Sequence, residues 1–369
     1  MAATDSDPKR VTTLELFFDL VFVFTITELT TVLYESPTWR GLAQVVLMLG
    51  VIWWMYGGYA WMTNAVSAHT AQRRLLLLGG MVGYFVLALA IPHAFLSSGL
   101  AFGLAYLGIV SVHSTLFTRA SSQSAARAIL TLAPFNIASG LVIVVGGALG
   151  GAAQYALWTV AFLFEWLTPK IRRAREGGFE IAAAHFVERH GLVVLIAIGE
   201  SIVAIGFGAS HLAVDGALVV VAALGLALSA GLWWLYFGSG DDERAEHSLA
   251  AMPLPRRSRA ALHGYGYWHL PLLFGIVAIA AAERAAIAHP FRELSWARAG
   301  LLGGGIAVFL VGDTLFRRAL EIGSGTRRAA VAVLAAATIP LGAAVWAAAQ
   351  IGALVVLLVA SIDTRRGRS

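Results

Sequence analysis

Apolar segments of about 20 residues recur along the whole 369-residue chain, separated by short polar stretches. An α-helix of this length crosses the ~30 Å hydrocarbon core of a bilayer. The pattern predicts an all-α polytopic membrane protein with about twelve transmembrane helices. We place these spans near residues 13–34, 40–63, 74–96, 99–118, 127–147, 152–169, 184–208, 213–238, 258–282, 296–316, 328–346 and 348–363. The last two lie so close together that eleven spans is the alternative.

The composition agrees with this class. Hydrophobic residues make up 59% of the chain and charged residues 13%, whereas a soluble domain carries about 25% charged residues. Cysteine is absent, which excludes disulfides and thiolate chemistry. The start, MAATDSDPKRVTT, lacks the features of a signal peptide, so we expect the first helix to be retained. The longest loop, Ser239–Ser258, leaves no room for a soluble domain.

The basic residues predict the orientation. Both tails and every second connection hold nearly all of the Lys and Arg residues, whereas the opposite side holds Arg40, Arg284, Arg292 and Arg298. Positive charge stays in the cytoplasm, so we expect both termini of the protein to be cytoplasmic. Its partners are then the lipid bilayer and a small solute or ion, and not nucleic acid. The sequence leaves open whether it forms a homo-oligomer.

Three motifs occur in both halves in the same order. They are WWMY and WWLY (Trp53–Tyr56, Trp233–Tyr236), STLFTRA and DTLFRRA (Ser114–Ala120, Asp313–Ala319), and AQ (Ala153–Gln154, Ala349–Gln350). They predict two parallel six-helix repeats, 13–180 and 181–364, between an N-terminal tail (1–12) and a C-terminal tail (365–369). Units with an even number of spans insert in the same direction, and their alignment pairs Glu28 with Glu200.

Span one carries three acids, although a carboxylate at the centre of a membrane helix costs roughly 2.5–3.5 kcal/mol. Thr12 and Glu15 match a capping box, which gives Glu15 a local role. Asp19 shares the face of Glu15, and Glu28 lies about 180° further around the helix. We therefore expect protein or a water-filled cavity around span one. The alternatives are a salt bridge for Asp19 and a protonated, hydrogen-bonded side chain for Glu28.

Span seven contains a second set of polar residues, within HFVERHGLVVLIAIGES. His185 and Arg189 share one face, and Glu200 lies nearly on that face about 16 Å further along. His190 titrates near physiological pH, which suits a proton relay. The alternative is that Glu188, Arg189 and His190 are interfacial residues that anchor the helix.

Polar residues elsewhere have simpler interpretations. Asp313 is a further candidate for a transport path, or it forms a salt bridge with Arg317 at i,i+4. His113 is a secondary candidate, or a hydrogen-bonded residue of the bundle. We place Glu165, Glu283 and Arg284 at span ends, near the membrane interface. No nucleophile–base pair, metal-ligand motif or nucleotide-binding motif occurs, so we expect no enzymatic activity, catalytic residue, metal or cofactor.

Two long segments resemble a known family. LELFFDLVFVFTITELT (Leu14–Thr30) and HFVERHGLVVLIAIGESIVAIG (His185–Gly206) closely resemble the bacterial low temperature requirement protein A (LtrA) family. The resemblance covers nearly the whole chain. It implies a multi-pass bacterial membrane protein linked by name to growth in the cold, and it implies no particular solute.

The sequence favours a transporter of a small solute or ion, coupled to protons or cations, with a path lined by spans one and seven. The candidate path residues are Asp19, Glu28, Arg189, His190, Glu200 and Asp313, with Glu15, His113, His185 and Glu188 as secondary candidates. One alternative is a cation or proton channel on the same six-plus-six helix scaffold. Another is a membrane sensor or scaffold that acts in cold adaptation without transport.

Overall fold

The computed structural model describes residues 10–66, 70–118, 123–171, 181–238 and 240–362, without the side chains of 123–128 and 170–171. These residues form helices and connecting turns, with no strand among them. The predicted C-terminal tail, most of the predicted N-terminal tail and the end of the first predicted repeat lie outside the described residues.

The helices follow the apolar segments closely. The first half contains α1 (Thr13–Glu35), α2 (Trp39–Ala65), α3 (Ala71–Ala90), α4 (Gly99–Phe117), α5 (Gln123–Leu149) and α6 (Gly151–Ile171). The second half contains α7 (Ala183–Ala209), α8 (Gly216–Tyr236), α9 (Asp241–Ala251), α10 (Leu254–Ala261), α11 (His269–Ala288), α12 (Trp296–Ala319), α13 (Thr326–Ala337), α14 (Ile339–Ala344) and α15 (Ala347–Ser361). Side-chain caps from Thr38, Thr70, Asp215 and Ser295 begin α2, α3, α8 and α12.

Ten helical stretches of the described chain are long and apolar enough to cross a membrane, which confirms the multi-pass helical class. The helix α6 is not among these ten, but it lies antiparallel along α5. Trp158 of α6 donates to the carbonyl of Ile143, and Glu165 accepts from Ser139. It therefore extends through the same depth as α5. The 15-residue α15 is about 22 Å long.

Three segments depart from the predicted spans. The predicted loop Ser239–Ser258 contains α9 and the start of α10, so the interpretation as a loop was wrong there. The predicted ninth span continues from α10 through a π-helical segment, Leu262–Tyr267, into α11. The predicted eleventh span is broken into α13 and α14 at Thr338, because Pro340 cannot continue the hydrogen bonding of the preceding turn.

The two halves pack in similar orders. In the first half α1 contacts α3, α3 contacts α4, α4 contacts α5 and α5 contacts α6. In the second half α7 contacts α11, α11 contacts α12, α12 contacts α13, and α13 contacts α15. The halves meet where α1 packs against α7 and α11, and α2 also reaches α7. The functional candidates lie at this meeting point.

The helices α1 and α7 run in the same direction. Glu15 pairs with His185, Asp19 with Arg189, and Thr27 with Glu200, so contact positions increase together along both helices. A chain that returns to the same side of a membrane has crossed it an even number of times. The parallel contact therefore requires an even number of crossings between the start of α1 and the start of α7.

Candidate functional site

The first turn of α1 contains the predicted capping box. The backbone N–H of Thr12 donates to Glu15 Oε2 over 2.8 Å, and the Glu15 N–H donates to Thr12 Oγ1 over 3.3 Å. This local motif satisfies two helix-end donors and leaves Glu15 Oε1 directed toward α7. Glu15 is therefore a cap and also a partner of the second half of the protein.

Arg189 is the centre of the ionic contacts between α1 and α7. Its guanidinium is fully buried and donates to Glu15 Oε1 over 3.1 Å, to Asp19 Oδ1 over 3.1 Å and to Thr63 Oγ1 over 2.5 Å. The rings of Phe18 and Tyr56 lie 5.4 and 5.7 Å from its central carbon. One guanidinium thus faces two carboxylates in a region without water contact, where charge-assisted bonds are strong.

The tautomer of His185 follows from its neighbours. Asn64 Nδ2, which also donates to the Ala182 carbonyl, lies 3.2 Å from His185 Nδ1. Since an amide nitrogen only donates, Nδ1 accepts, and Nε2 carries the proton that it donates to Glu15 Oε1 over 3.0 Å. We call Glu15, Asp19, His185 and Arg189 the N-terminal cluster, after its place on α1.

A layer of aromatic rings lies beyond the N-terminal cluster. It consists of Trp53, Tyr56, His190, Tyr265 and His269, which we call the aromatic layer. His190 Nδ1 donates to the carbonyl of Phe186 over 2.8 Å, and its ring lies 4.7 Å from that of Tyr265. The Tyr56 hydroxyl reaches back to Asp19 Oδ1 over 2.9 Å. The predicted relay residue His190 is therefore held inside packed rings, directly beside the ionic contacts.

The π-helical segment supplies carbonyl acceptors to this layer. Gly264 accepts from His269 Nδ1 over 2.9 Å, so His269 Nε2 is unprotonated and accepts from the Tyr236 hydroxyl over 2.8 Å. Gly266 accepts from the indole N–H of Trp53 over 2.9 Å. A π-helical turn releases carbonyls from the regular helical pattern, and here one of them binds the opposite half of the protein.

A second polar group lies near the other end of α1. The Thr27 hydroxyl donates to Glu200 Oε2 over 2.6 Å, and Glu28 lies close enough to act electrostatically on Glu200. Arg284, whose charge also acts on Glu200, packs its guanidinium 4.2 Å from the centre of the Tyr34 ring. We call Thr27, Glu28, Glu200 and Arg284 the C-terminal cluster.

The burial of α1 changes along its length. Phe17 and Leu20 are 52% and 57% exposed, so α1 has an outward face beside Asp19. At that level the protein covers only part of the circumference of α1. From residue 21 to residue 34 no side chain of α1 is exposed, and Glu28 is half-buried there.

The structure places the sequence candidates in separate groups. Glu15, Asp19, His185 and Arg189 come together, Glu28 lies with Glu200, and His190 lies beside the first of these groups, within the aromatic layer. Glu188 is exposed and accepts from the N–H of Val11, so it anchors the chain that leads into α1. His113 is buried between α2 and α4, with its ring 5.4 Å from that of Tyr59, away from α7.

Asp313 belongs to a different ionic network. It pairs with Arg328, not with Arg317 as the i,i+4 interpretation expected. Arg317 is bound to Asp241 at the start of α9, and Arg328 also donates to Asp241 and to the carbonyl of Leu235. Asp241 was missed because its segment was interpreted as a loop. This network ties the ends of α8, α9, α12 and α13 together.

Two acids assigned to the membrane interface lie inside the bundle. Glu165 is 2% exposed and accepts from Tyr106 and Ser139, each over 2.6 Å, and Glu283 is fully buried. The sequence placed both near span ends and did not predict that neighbouring helices enclose them. Tyr56 and Asn64 were also missed as site residues, although the repeated WWxY motif contains Tyr56.

These features define a polytopic helical protein of the bacterial membrane with a buried ionic site between its first and seventh helices. Residues 10–362 match the family described as bacterial low temperature requirement A protein (LtrA), and the chain belongs to that family. An uncharacterized protein of Rhizobium meliloti (strain 1021) is 29% identical over 327 residues, which cover 85% of this chain and 78% of that relative. The family assignment confirms the resemblance drawn from the two long segments.

Proposed function

We propose that the protein is a transporter that moves a small solute or ion across the cytoplasmic membrane, coupled to protons or cations, between α1 and α7. The observation that carries the proposal is the pair of polar clusters at opposite ends of this one interface. Asp19 and Glu28 lie nine residues apart, about 14 Å along a helix. Buried charges at membrane depth are costly and are characteristic of ion and substrate pathways.

Each group has a role in this proposal. Asp19 and Glu28 bind the cation or proton, and Glu200 is the partner of Glu28 on α7. Arg189 neutralises the acids of the N-terminal cluster when the cation is absent, since a guanidinium and a bound cation compete for the same carboxylate oxygens. His190 lies beside the N-terminal cluster and relays protons. The proposal assigns no catalytic step to any residue.

The packed aromatic layer favours a transporter over an open channel. Trp53 stacks on His269 with the planes 6° apart, and His190 meets Trp53 edge-on. These rings pack against one another beside the N-terminal cluster in this conformation. We therefore propose alternating access, in which the layer opens toward one cluster at a time, with the channel as the alternative if it opens to both.

We further propose that the chain consists of two parallel six-helix repeats with both termini in the cytoplasm. The parallel course of α1 and α7 and the similar packing order of the halves support this. So do the two AQ motifs, since Gln154 donates to the carbonyl of Ala94 over 2.7 Å and Gln350 to that of Ala299 over 2.9 Å. The N-terminal cluster then lies toward the cytoplasm.

Proteoliposomes with an internal pH dye test the function. A potassium gradient and then a sodium gradient are imposed on wild type, Asp19→Asn, Glu28→Gln and the control Glu293→Gln, whose side chain is exposed. We expect cation-driven proton movement in wild type and control. We expect at least a tenfold loss in the two path variants, equivalent to about 1.4 kcal/mol. Equal flux in all four proteins would exclude this path.

If wild type shows no more proton movement than empty liposomes under either gradient, transport coupled to protons or cations is excluded. The sensor alternative predicts that the neutral variants Asp19→Asn and Glu28→Gln support growth in the cold as well as wild type does. Growth and flux measured on the same variants therefore separate the two functions.

A further inference from the structure

Glu283 is the most completely isolated charged side chain of the described bundle. It lies on α11 with no exposed surface, and neither carboxyl oxygen makes a hydrogen bond within the described part of the chain. The Ser201 hydroxyl of α7 is a potential donor beside it and is also fully buried, but the two groups do not reach hydrogen-bonding geometry. Burying an ionised group without partners is strongly unfavourable, so this carboxyl needs a ligand.

The bundle stabilises another buried acid quite differently. Glu165 accepts hydrogen bonds from Tyr106 and Ser139, so two donors stabilise its carboxylate. At Glu283 the neighbouring position on α8 is a glycine instead. A Cβ at Gly225 would lie 3.6 Å from Glu283 Oε1 and 2.8 Å from Ile205 Cδ1. Gly225 therefore offers the carboxyl no donor side chain, and the apolar side chain of Ile205 fills the space beside it.

The chemistry of the surroundings selects the ligand. Divalent cations take six or more oxygen ligands, whereas the side chains at Glu283 supply its own two oxygens and one hydroxyl. No group of three or more metal-ligating residues occurs among the described residues. A proton needs only one carboxyl oxygen and removes the buried charge completely. The site therefore suits a proton better than a metal ion.

A polar connection leads from Glu283 to the C-terminal cluster. Ser201 follows Glu200, which accepts from Thr27 and is influenced by Glu28 and by Arg284, the residue after Glu283. Arg298 of α12 contacts the same Tyr34 ring as Arg284. These are the charged groups around the site, because neither α8 nor α15 contains an acidic or basic residue.

We infer that Glu283 is a proton-binding site, which takes up a proton on a carboxyl oxygen when the helices close around it and releases it through the C-terminal cluster when they open. Uptake converts the carboxylate and one proton into a neutral carboxylic acid, so no other reactant is needed. As the coupling site, Glu283 rests on the proposed transport function. Its proton binding does not, and it can be measured separately.

Infrared difference spectroscopy of the purified full-length protein in lipid tests the binding. Wild type is compared with Glu283→Gln. The control Glu165→Gln identifies any carbonyl band that comes from the second buried acid, Glu165. We expect the carbonyl band of a protonated carboxyl in wild type that is absent from Glu283→Gln, and its reversible loss as the pH rises. The absence of this band, or a band that does not change with pH, would overturn the inference.

The liposome assay separates this inference from the transport proposal. If Glu283 carries the coupling proton, cation-driven proton movement is lost in Glu283→Gln. Proton movement in Glu283→Gln equal to wild type would overturn the coupling role and leave transport standing. A pH-dependent Glu283 band together with no flux in wild type would retain the proton site and reject the transport proposal.

Discussion

At the scale of single residues, Arg189 illustrates what a buried charge does in this protein. Its guanidinium faces the carboxylates of Glu15 and Asp19. The exposed fraction of each of these three side chains is 6% or less. A buried ion pair adds little stability over apolar packing, because desolvation offsets the attraction. Removing one partner is different, since the remaining charges then have no compensation.

We predict that Arg189→Gln lowers the free energy of unfolding by about 3–5 kcal/mol, because it leaves two acids facing each other in the bundle. The apparent melting temperature of the purified protein, measured in one detergent, checks this. The control Arg292→Gln removes an exposed arginine and is expected to leave the melting temperature unchanged. Equal melting temperatures for the two variants would show that the N-terminal cluster does not hold α1 and α7 together.

The residue-scale predictions from sequence succeeded where the interaction is local. The capping box of Thr12 and Glu15 spans three residues, and helix geometry alone specifies it. Asp313 and Arg317 also have a suitable local spacing, but Asp241 of α9 binds Arg317, and Arg328 takes its place beside Asp313. Nothing in the local sequence reports that competition, because Asp241 lies 76 residues from Arg317 along the chain.

At the scale of helices, α11 and α12 pack closely through glycines. A Cβ at Gly305 would lie 3.0 Å from the carbonyl oxygen of Gly275 and 2.9 Å from Ile279 Cγ1. Small residues allow membrane helices to approach each other closely. The adjacent Gly304 has no atom within 4 Å of an added Cβ, so the chain offers a matched pair of positions one residue apart.

We predict that Gly305→Ala destabilises the protein by about 1–3 kcal/mol, because the added methyl group forces α11 and α12 apart. Gly304→Ala adds the same methyl group on an open face, where the better helix propensity of alanine makes it neutral or slightly stabilising. Thermal unfolding of both variants in the same detergent checks the difference. A loss of stability in Gly304→Ala as large as that in Gly305→Ala would contradict close packing at this position.

Hydropathy located most helices of the bundle within a few residues, as for the predicted span 184–208 and the observed Ala183–Ala209. It could not show the π-helical segment Leu262–Tyr267, which differs from an α-helix in hydrogen bonding and not in polarity. It also missed α9, a short helix rich in charged residues that is stabilised by the long-range pairs of Asp241. Tertiary contacts decide both features.

At the scale of the whole molecule, the direction of the two halves determines which side each cluster faces. The contacts of α1 with α7 require the two helices to begin on the same side of the membrane. The proposed orientation rests on the basic residues, since they collect on alternate connections and cytoplasmic loops retain Lys and Arg.

The absence of cysteine from the chain makes this orientation measurable with single introduced thiols. Ser210 follows α7 and Ser324 precedes α13, and both side chains are exposed. A maleimide that reaches the outer face of the cytoplasmic membrane of intact cells but does not cross that membrane should label Ser210→Cys. Ser324→Cys should react only after the cytoplasmic membrane is opened. The reverse pattern would place the N-terminal cluster, and with it the Arg189 contacts, on the outer side. The proposed path would then run in the opposite sense, with Glu283 nearer the cytoplasm.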